Sequence, residues 1–234
     1  MTMAYKDIIV IDGRKDLLLI APHGHRKDDE NTAELTRQIA LRLDCQAIVN
    51  FVFRKPRGQE RPDRDRHLLN LNKADQAYFH PDFIDALQSS VDTPERTLVI
   101  WMHGIKDENI EAEAKRTDSF RGTPALLLVL AGYGQGQSPK TGNPKSRYTA
   151  DPQTVKRLVS SLTGNGLAAI AVRNDAPSYR GRHEGYMNQW FLQNNYPLSS
   201  VESIQLELKY TGVRDHGSME TASERFAKSL IKLI

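Results

Sequence analysis

Two histidines follow apolar runs that lie far apart in the chain, and each of them is followed directly by glycine. His23 comes just after the run 17–21, in the sequence PHG, and His103 ends the run that begins at 97, in MHG. Glycine lets the backbone turn sharply there and leaves space around each imidazole. Imidazole is a common zinc ligand, and a catalytic zinc typically takes three protein ligands and keeps one open position. The pair therefore indicates two ligands of a metal site and requires a third.

Carboxylates close to His23 are the candidates for that third ligand, at positions 28, 29, 30 and 34. Glu34 has another explanation, because its spacing from Asn31 is that of a capping box at the start of a helix. Glu30 comes just before this helix, so its side chain can turn back towards His23. We therefore rank Glu30 first and keep Asp29 as the nearest alternative. The rival histidine, His25, lies further past the strand end and is expected to face solvent or to support a ligand.

A carboxylate in the predicted strand 203–208 is a candidate for the proton-transfer group of a hydrolase. Ile204, Leu206 and Leu208 alternate with Gln205 and Glu207, so Glu207 projects from the face opposite the aliphatic side chains. A carboxylate there is unexpected unless it meets polar partners, or unless the strand is an exposed edge. A metal hydrolase needs a group that accepts the proton of the attacking water and passes it to the leaving amine. Glu207 fits that role.

Alternating strands and helices define the fold class. Apolar or alternating runs predict strands at 17–21, 46–53, 97–102, 125–130, 167–172 and 203–208. Helical patterns occupy 31–43, 83–88 and 151–164, and a last helix starts at 221 with a second capping box. This order predicts an α/β sandwich with a mixed, mostly parallel central sheet, in one domain over 1–234. In such sheets ligands bind beyond the carboxyl ends of the strands, where His23 and His103 are expected.

Composition narrows the location and the partners. The formal net charge of +3 is too small to indicate nucleic-acid binding by itself. No apolar run approaches the roughly 20 residues of a membrane span, and the first residues do not read as a signal peptide. The single cysteine fits a reducing compartment, so we expect a cytoplasmic protein with no membrane partner. The arginine-rich segment 54–66 is either a solvated loop or a loop that binds an anionic ligand.

Five short motifs, in order, resemble the N-formylglutamate amidohydrolase family. They are APHG, RHLLNLN, WMHG, RNDAPSYRG and SIQLELKYTGVR, and the resemblance runs from about residue 17 to the C-terminus. The segment HGHRKDDENTAEL also resembles the metal-binding turn of phage-type poly-γ-glutamate hydrolases. This resemblance implies a three-layer fold of the zinc-exopeptidase or phosphorylase-hydrolase type, related to the metallocarboxypeptidases. It further implies one Zn²⁺ per chain on His23, Glu30 and His103, with Glu207 as general base and acid.

The same resemblance indicates where a substrate would bind. The family shows an arginine and then Asp-x-Asn-Arg at a point where this chain has Arg66, followed by Asn70-Leu-Asn72-Lys73. Lysine is a point charge and not a bidentate fork, so carboxylate recognition at Lys73 differs from the family pattern. The motif RNDAPSYRG resembles a substrate-facing loop. The substrate-binding candidates are thus Arg66, Asn72, Arg173, Tyr179, Arg180 and Arg182.

These observations predict a zinc-dependent amidohydrolase that cleaves the C–N bond of a small anionic amide. The substrate would be an N-acyl amino acid resembling N-formylglutamate, or a γ-glutamyl-type amide. One alternative is a divergent member of the family that binds an anionic partner such as RNA. Another is a peptide or peptidoglycan amidase, although a cell-wall substrate fits poorly with the predicted cytoplasmic location unless the enzyme is phage-derived.

Overall fold

The computed structural model describes residues 2–4, 7–23, 29–54, 60, 68–117, 120–136 and 148–234. Within these ranges, the strands are β1 (Thr2–Ala4), β2 (Ile8–Ile11), β3 (Arg14–Ala21), β4 (Cys45–Asn50), β5 (Thr97–Gly104), β6 (Val129–Gly132), β7 (Ala169–Ala171) and β8 (Val201–Leu208). The helices are α1 (Thr32–Leu43), α2 (Ala74–Ala77), α3 (Pro81–Val91), α4 (Asp107–Lys115), α5 (Pro152–Gly164), α6 (Trp190–Gln193) and α7 (Met219–Leu230).

The described strands form one eight-stranded sheet in the order β1-β2-β4-β3-β5-β8-β6-β7. Strands β4, β3, β5 and β8 run parallel to one another and make up its centre. Strand β6 joins β8 antiparallel, and β2 joins β4 antiparallel. The prediction of a mixed, mostly parallel sheet is therefore confirmed.

Strand β3 shows why the fold has three layers, because both of its faces are buried over residues 17–21. Leu17 and Leu19 belong to one core, which is shared with helices α1, α5 and α7. Leu18 and Ile20 point to the other face and pack in a second core with α3 and Trp101. A central parallel strand that is covered on both faces reads as a continuous apolar run, which is how LLLIA appears in the sequence. The predicted three-layer sandwich is confirmed.

Helix α5 begins where the sequence indicates. The side chain of Asp151 accepts a hydrogen bond from the Gln153 backbone N–H at 2.7 Å, and Pro152 takes the first helical position. The proline lacks an N–H, but the first turn of a helix has no partner for that group anyway. The helix predicted over 151–164 is therefore confirmed, with Asp151 as its N-cap.

The capping box predicted for α1 is wrong. Asn31 adopts a left-handed backbone conformation with φ of 64° and makes no side-chain cap; its amide donates to the Arg214 carbonyl instead, at 2.8 Å. Glu34 pairs with Arg37 on the helix surface, at 2.8 Å. Helix α7 also differs from prediction, since it starts at Met219 rather than at 221 and has no side-chain cap. For α1 a tertiary contact overrides the local signal. The start of α7 follows a local turn, in which the Asp215 side chain accepts from the Ser218 N–H at 3.0 Å.

The region before β6 differs from its prediction as well. Residues 124–126 form a short 3₁₀ turn, and the strand itself runs over Val129–Gly132. Sequence patterns also missed β1, β2 and α4, which are short or mostly polar. No helix among the described residues is long and apolar enough to cross a membrane.

The chain order creates the crevice that holds the site. After β3, the chain passes through α1 to β4 on one side, whereas the strand on the other side of β3 is β5. Connections that leave in opposite directions from neighbouring strands open a crevice between their carboxyl ends. His23 lies two residues after the end of β3 and His103 is the last residue but one of β5, so both histidines reach this crevice.

Candidate metal centre

His23, Asp29 and His103 form a buried group whose potential ligand atoms lie within 4.8 Å of one another. The Nδ1 atom of His23 is 3.4 Å from one carboxylate oxygen of Asp29, and the Nδ1 atom of His103 is 3.7 Å from the other. The ring centroids of the two histidines are 5.4 Å apart. The three side chains thus surround one small volume at the carboxyl ends of β3 and β5.

Asp29 is held in the turn that leads into α1. Its backbone carbonyl accepts from the Thr32 N–H at 3.0 Å, and its Oδ1 atom accepts from the Gly104 N–H at 2.6 Å. Burial by itself raises the pKa of Asp29. The charge of His23 and the hydrogen bonds from His103 and His23 outweigh burial and hold this pKa well below its usual range. The carboxyl is therefore an anion.

The hydrogen bonds of Asn70 determine which nitrogen of His23 faces the group. The Oδ1 atom of Asn70 accepts from the Asn72 backbone N–H at 3.0 Å, which identifies it as the amide oxygen. The Nε2 atom of His23 lies 2.6 Å from the same oxygen and must therefore carry a proton and donate it. Without an ion, Nδ1 is the atom that donates to Asp29. When the ring is neutral, as in a metal ligand, the lone pair lies on Nδ1 and is available to an ion. Such an outer partner is typical of metal-binding histidines.

The donor set fits a zinc ion. Two imidazole nitrogens and one carboxylate oxygen are ligand types that zinc accepts, and three protein ligands leave a position for water or substrate. All three residues are at least nine-tenths buried, and the carboxylate brings one negative charge. Within the described part of the chain, these three residues are the histidine, cysteine or acidic side chains that lie close enough together to hold a metal ion.

The structure favours Asp29 over Glu30, which the sequence ranked first. Glu30 is exposed, and the part of it that contacts the site is its backbone carbonyl, which accepts a hydrogen bond from the Arg214 guanidinium. Adjacent residues of the turn face in different directions, so Asp29 points inward to the histidines and Glu30 points to solvent. Asp29 therefore replaces Glu30 as the candidate ligand. The rival His25 lies outside the described residues.

Glu207 lies beside His103 on the neighbouring strand. Strands β5 and β8 pair in parallel with His103 opposite Glu207, and neighbouring strands are about 4.8 Å apart. Strand β8 lies between β5 and β6, so the alternative of an exposed edge strand does not hold. The side-chain amide of Gln205 donates to Oε1 of Glu207 and orients the carboxylate. Glu207 is 7% exposed and borders the same cavity as the histidines.

The candidate metal centre opens into a cavity of about 920 Å³. Residues 70–76 form one wall and residues 177–186 form the wall next to it, since the Ala74 N–H donates to the Gly185 carbonyl at 2.9 Å. The start of α4 also lines the cavity. Four basic side chains line it: Lys73, Lys106, Arg180 and Arg182. The cavity thus combines the carboxyl groups of Asp29 and Glu207 at its floor with positive charge on its walls.

The sequence-predicted substrate residues divide into three groups. Asn72, Tyr179, Arg180 and Arg182 line the cavity. Arg173 is not among the lining residues; its guanidinium donates to the Arg116 carbonyl at 3.0 Å and lies 3.5 Å from Asp175. Arg173 therefore holds two surface segments together and does not line the cavity. Arg66 lies outside the described residues.

The wall 177–186 is anchored tightly to the sheet. The Gly134 N–H donates to the Arg180 carbonyl at 2.7 Å. A Cβ atom at Gly132 would lie only 2.1 Å from the Tyr179 carbonyl oxygen, so the two backbones pack too closely for a side chain there. Tyr179 has φ of 65°, a conformation that costs energy for a residue with a side chain and that often occurs at functional sites. Burial and then the nearby charges of Glu207 and Glu113 raise the pKa of the Tyr179 phenol. This phenol is therefore a neutral hydrogen-bond donor at the cavity.

Sequence reasoning missed several residues of the site. Asn70 was noted only as a departure from a family motif, and its bond to His23 joins residues 47 positions apart. Gln205 could have been found, since it shares the polar face of β8 with Glu207. Lys106 carried no signal of its own. Arg214, which lies behind the site, ends the motif SIQLELKYTGVR, but its contacts depend on how distant segments meet.

Comparison with known proteins shows the fold and leaves the activity open. No protein-family model matches the sequence, and no curated protein matches it either. The crystal structure of N-formylglutamate amidohydrolase from Ralstonia eutropha JMP134 has a TM-score of 0.60 and 12% identity, with 98% of each chain covered. This chain therefore has a zinc-exopeptidase-like fold. A bacteriophage poly-γ-glutamate hydrolase gives a TM-score of 0.51 at 13% identity, over 97% of this chain and 88% of the other. A zinc-free apo structure of YNDL gives a TM-score of 0.50 at 14% identity, over 97% and 89%.

Proposed function

We propose that this protein is a zinc-dependent amidohydrolase of a small anionic amide. The observation that supports this most strongly is the buried group of His23, Asp29 and His103 with Glu207 on the adjacent strand, at the floor of an open cavity. The matched structures include an N-formylglutamate amidohydrolase and a poly-γ-glutamate hydrolase, whose names indicate amide bonds next to carboxylates. An N-acyl amino acid or a γ-glutamyl-type amide is therefore the substrate class that we propose.

The residues divide the chemistry of amide hydrolysis between them. A zinc ion held by His23, Asp29 and His103 would supply Lewis acidity towards the amide carbonyl and the attacking water. Glu207 would accept the proton from that water and transfer it to the nitrogen of the leaving amine, so that the C–N bond breaks without an unstable amide anion. Gln205 orients the Glu207 carboxylate for this transfer. Asn70 keeps Nδ1 of His23 directed at the site.

The walls of the cavity suit a small substrate with a negative charge. A volume of about 920 Å³ lies in the range of small-molecule sites. Arginine and lysine pair with carboxylates, and arginine can do so in a bidentate fork. Arg182 and Lys73 both line the cavity. A substrate carboxylate held there would orient the amide over the floor and lower the entropic part of the barrier.

The test is metal analysis followed by turnover of a substrate panel. We expect about one zinc per chain in the purified protein, and release of free amine from one or more N-acyl amino acids or γ-glutamyl peptides. Glu207→Gln should keep the metal and lose turnover by about 10²- to 10⁴-fold, because the proton acceptor is gone.

A matched control is Glu202→Gln. Glu202 is a buried carboxylate of the same strand, but it lies at the other end, where it pairs with Arg96 and accepts from the Asp151 N–H. This variant should lose folding stability and keep its turnover per folded molecule. Wild-type turnover in Glu207→Gln, or a wild-type chain without bound metal, would contradict the proposal.

A further inference from the structure

Arg214 is a buried cation that contacts three separate segments of the chain. It is 1% exposed and follows the turn after β8. Its Nε atom donates to the Leu208 carbonyl at 3.0 Å, its Nη2 atom donates to the Ile105 carbonyl at 3.2 Å, and its Nη1 atom donates to the Glu30 carbonyl. One guanidinium thus uses all three of its nitrogens on backbone oxygens.

Each of these carbonyls lies one or two residues after a side chain of the candidate site. Glu30 follows Asp29, Leu208 follows Glu207, and Ile105 comes two residues after His103. The segments come from the turn before α1, from the end of β5 and from the end of β8. The guanidinium therefore fixes the relative positions of two candidate ligands and the candidate base.

A further hydrogen bond joins Arg214 to the Asp29 turn in the opposite direction. The side-chain amide of Asn31 donates to the Arg214 carbonyl at 2.8 Å, while the Arg214 side chain donates to the carbonyl of the preceding residue, Glu30. Asn31 has φ of 64°, a backbone conformation that turns the chain from Asp29 into α1. The Asp29 turn is thus clamped to the segment after β8 by two bonds in opposite directions.

The chemistry of the guanidinium explains why arginine is suited to this place. Its planar fork offers five N–H donors in fixed directions, whereas lysine offers a compact ammonium on a flexible stem. Burial lowers the pKa of Arg214, but the carboxylates of Asp29, Asp107 and Glu207 oppose this shift. The ring of Tyr210 lies 5.5 Å from the guanidinium carbon and adds a cation–π contact. The Arg214 guanidinium is therefore a buried cation that joins three segments behind the site.

We propose that Arg214 is a positioning residue, which holds Asp29 in register with His103 and Glu207 so that the ligand atoms of Asp29 and His103 are arranged before an ion binds. This inference rests on the proposed function in one respect, since it takes the His23, Asp29 and His103 group to bind a metal. It adds a residue that touches neither the ion nor the cavity. The role is distinct from general stability because its effect is on metal affinity.

The test compares metal affinity with folding stability in matched arginine variants. The dissociation constant for Zn²⁺ is measured by competition with a chelator, and the free energy of unfolding is measured with the metal removed. Arg214→Met should weaken Zn²⁺ binding about 10- to 100-fold, the range seen when the outer support of a metal ligand is lost. Arg214→Lys, which keeps a charge but not the fork, should weaken it at least fivefold.

Arg96→Met is the control, because Arg96 also pairs with a buried group but lies far from the site. It contacts Glu202, which is 1% exposed, at the opposite end of β8. We expect this variant to lose folding stability and to keep the Zn²⁺ dissociation constant within about twofold of wild type. Affinity that falls equally in Arg96→Met and Arg214→Met would reduce Arg214 to a general structural residue and overturn the inference.

Asn31→Gly provides a test that does not disturb the buried charge. Glycine adopts a φ of 64° without steric cost, so this variant should fold even if the Arg214 variants do not. It removes only the bond to the Arg214 carbonyl, and we expect a threefold or greater loss of Zn²⁺ affinity. The Co²⁺-substituted wild type and variant should also differ in their visible absorption, which reports ligand geometry.

The possible results separate this inference from the proposed function. If wild type binds Zn²⁺ and both Arg214→Met and Asn31→Gly bind it within twofold of wild type, the positioning role is wrong and the metal site stands. If wild type binds no Zn²⁺, the metal site and the positioning role are both wrong.

Discussion

The hydrogen bond from His23 to Asn70 makes a prediction that can be worked out from the structure. Asn70→Ala removes the acceptor of two buried donors, the Nε2–H group of His23 at 2.6 Å and the Asn72 N–H at 3.0 Å. The His23 ring then loses the contact that keeps its lone pair on Nδ1. The ring is free to rotate, and either nitrogen can carry the proton.

The magnitude follows from two separate effects. Loss of an outer partner of a metal-binding histidine lowers metal affinity about 10- to 100-fold, which corresponds to about 1.4–2.7 kcal/mol. Leaving a buried donor without its acceptor costs about 1–3 kcal/mol of folding stability in the absence of metal. Asn70→Asp keeps both hydrogen bonds and adds negative charge, which strengthens the histidine as a ligand. We therefore expect its metal affinity to equal or exceed that of wild type.

Chelator competition with Zn²⁺ provides the assay, and Asn165→Ala is the matched control. Asn165 also makes two side-chain hydrogen bonds, to the Ser161 carbonyl at 2.8 Å and to the Ser229 hydroxyl at 3.1 Å, but far from the site. It should lose some stability and keep its metal affinity. The reasoning fails if Asn70→Ala binds Zn²⁺ as tightly as wild type, or if Asn70→Asp binds more weakly than Asn70→Ala.

Two further predictions concern the carboxylate ligand and the single cysteine. Asp29→Ala should abolish stoichiometric zinc binding, whereas Glu30→Ala should leave it unchanged because the Glu30 side chain is exposed. Metal analysis of both variants tests this, and the reverse pattern would restore Glu30 as the candidate ligand. Burial raises the pKa of Cys45 to about 12 from 9.0, so a thiol reagent at pH 8 should label it only as the protein unfolds. Fast labelling of the native protein would instead show that Cys45 is accessible. The contribution of this neutral thiol to the free energy of unfolding is complete below about pH 9 and is lost as the pH rises towards about 12.

Residue type and spacing were sufficient for the parts of the site that lie on strands. His23 and His103 each follow an apolar run, and parallel strands bring their carboxyl ends to one edge, so their meeting could be predicted. Glu207 was detectable because a carboxylate that alternates with aliphatic residues needs a polar environment. Its place beside His103 depends on the strand order, with β8 next to β5, and no local pattern contains that order.

The turn between His23 and α1 shows where local reasoning fails. Four acidic residues follow His23, and spacing alone does not tell which one points inward. The choice of Asp29 over Glu30 depends on the left-handed conformation of Asn31 and on contacts from Arg214 and Gly104. Those partners are 75 or more residues away along the chain, so they act only after the sheet has formed.

The sequence by itself determined the layered α/β fold and the histidine pair, because hydrophobic periodicity and strand-end glycines are local properties of the chain. Only the tertiary structure brings Asp29 to the histidines as the third candidate ligand, joins His23 to Asn70, keeps Arg173 out of the cavity and places Arg214 between three segments. Each of these depends on hydrogen bonds between distant segments, and the energy of a buried hydrogen bond is set by the geometry of its partners rather than by the residue types alone.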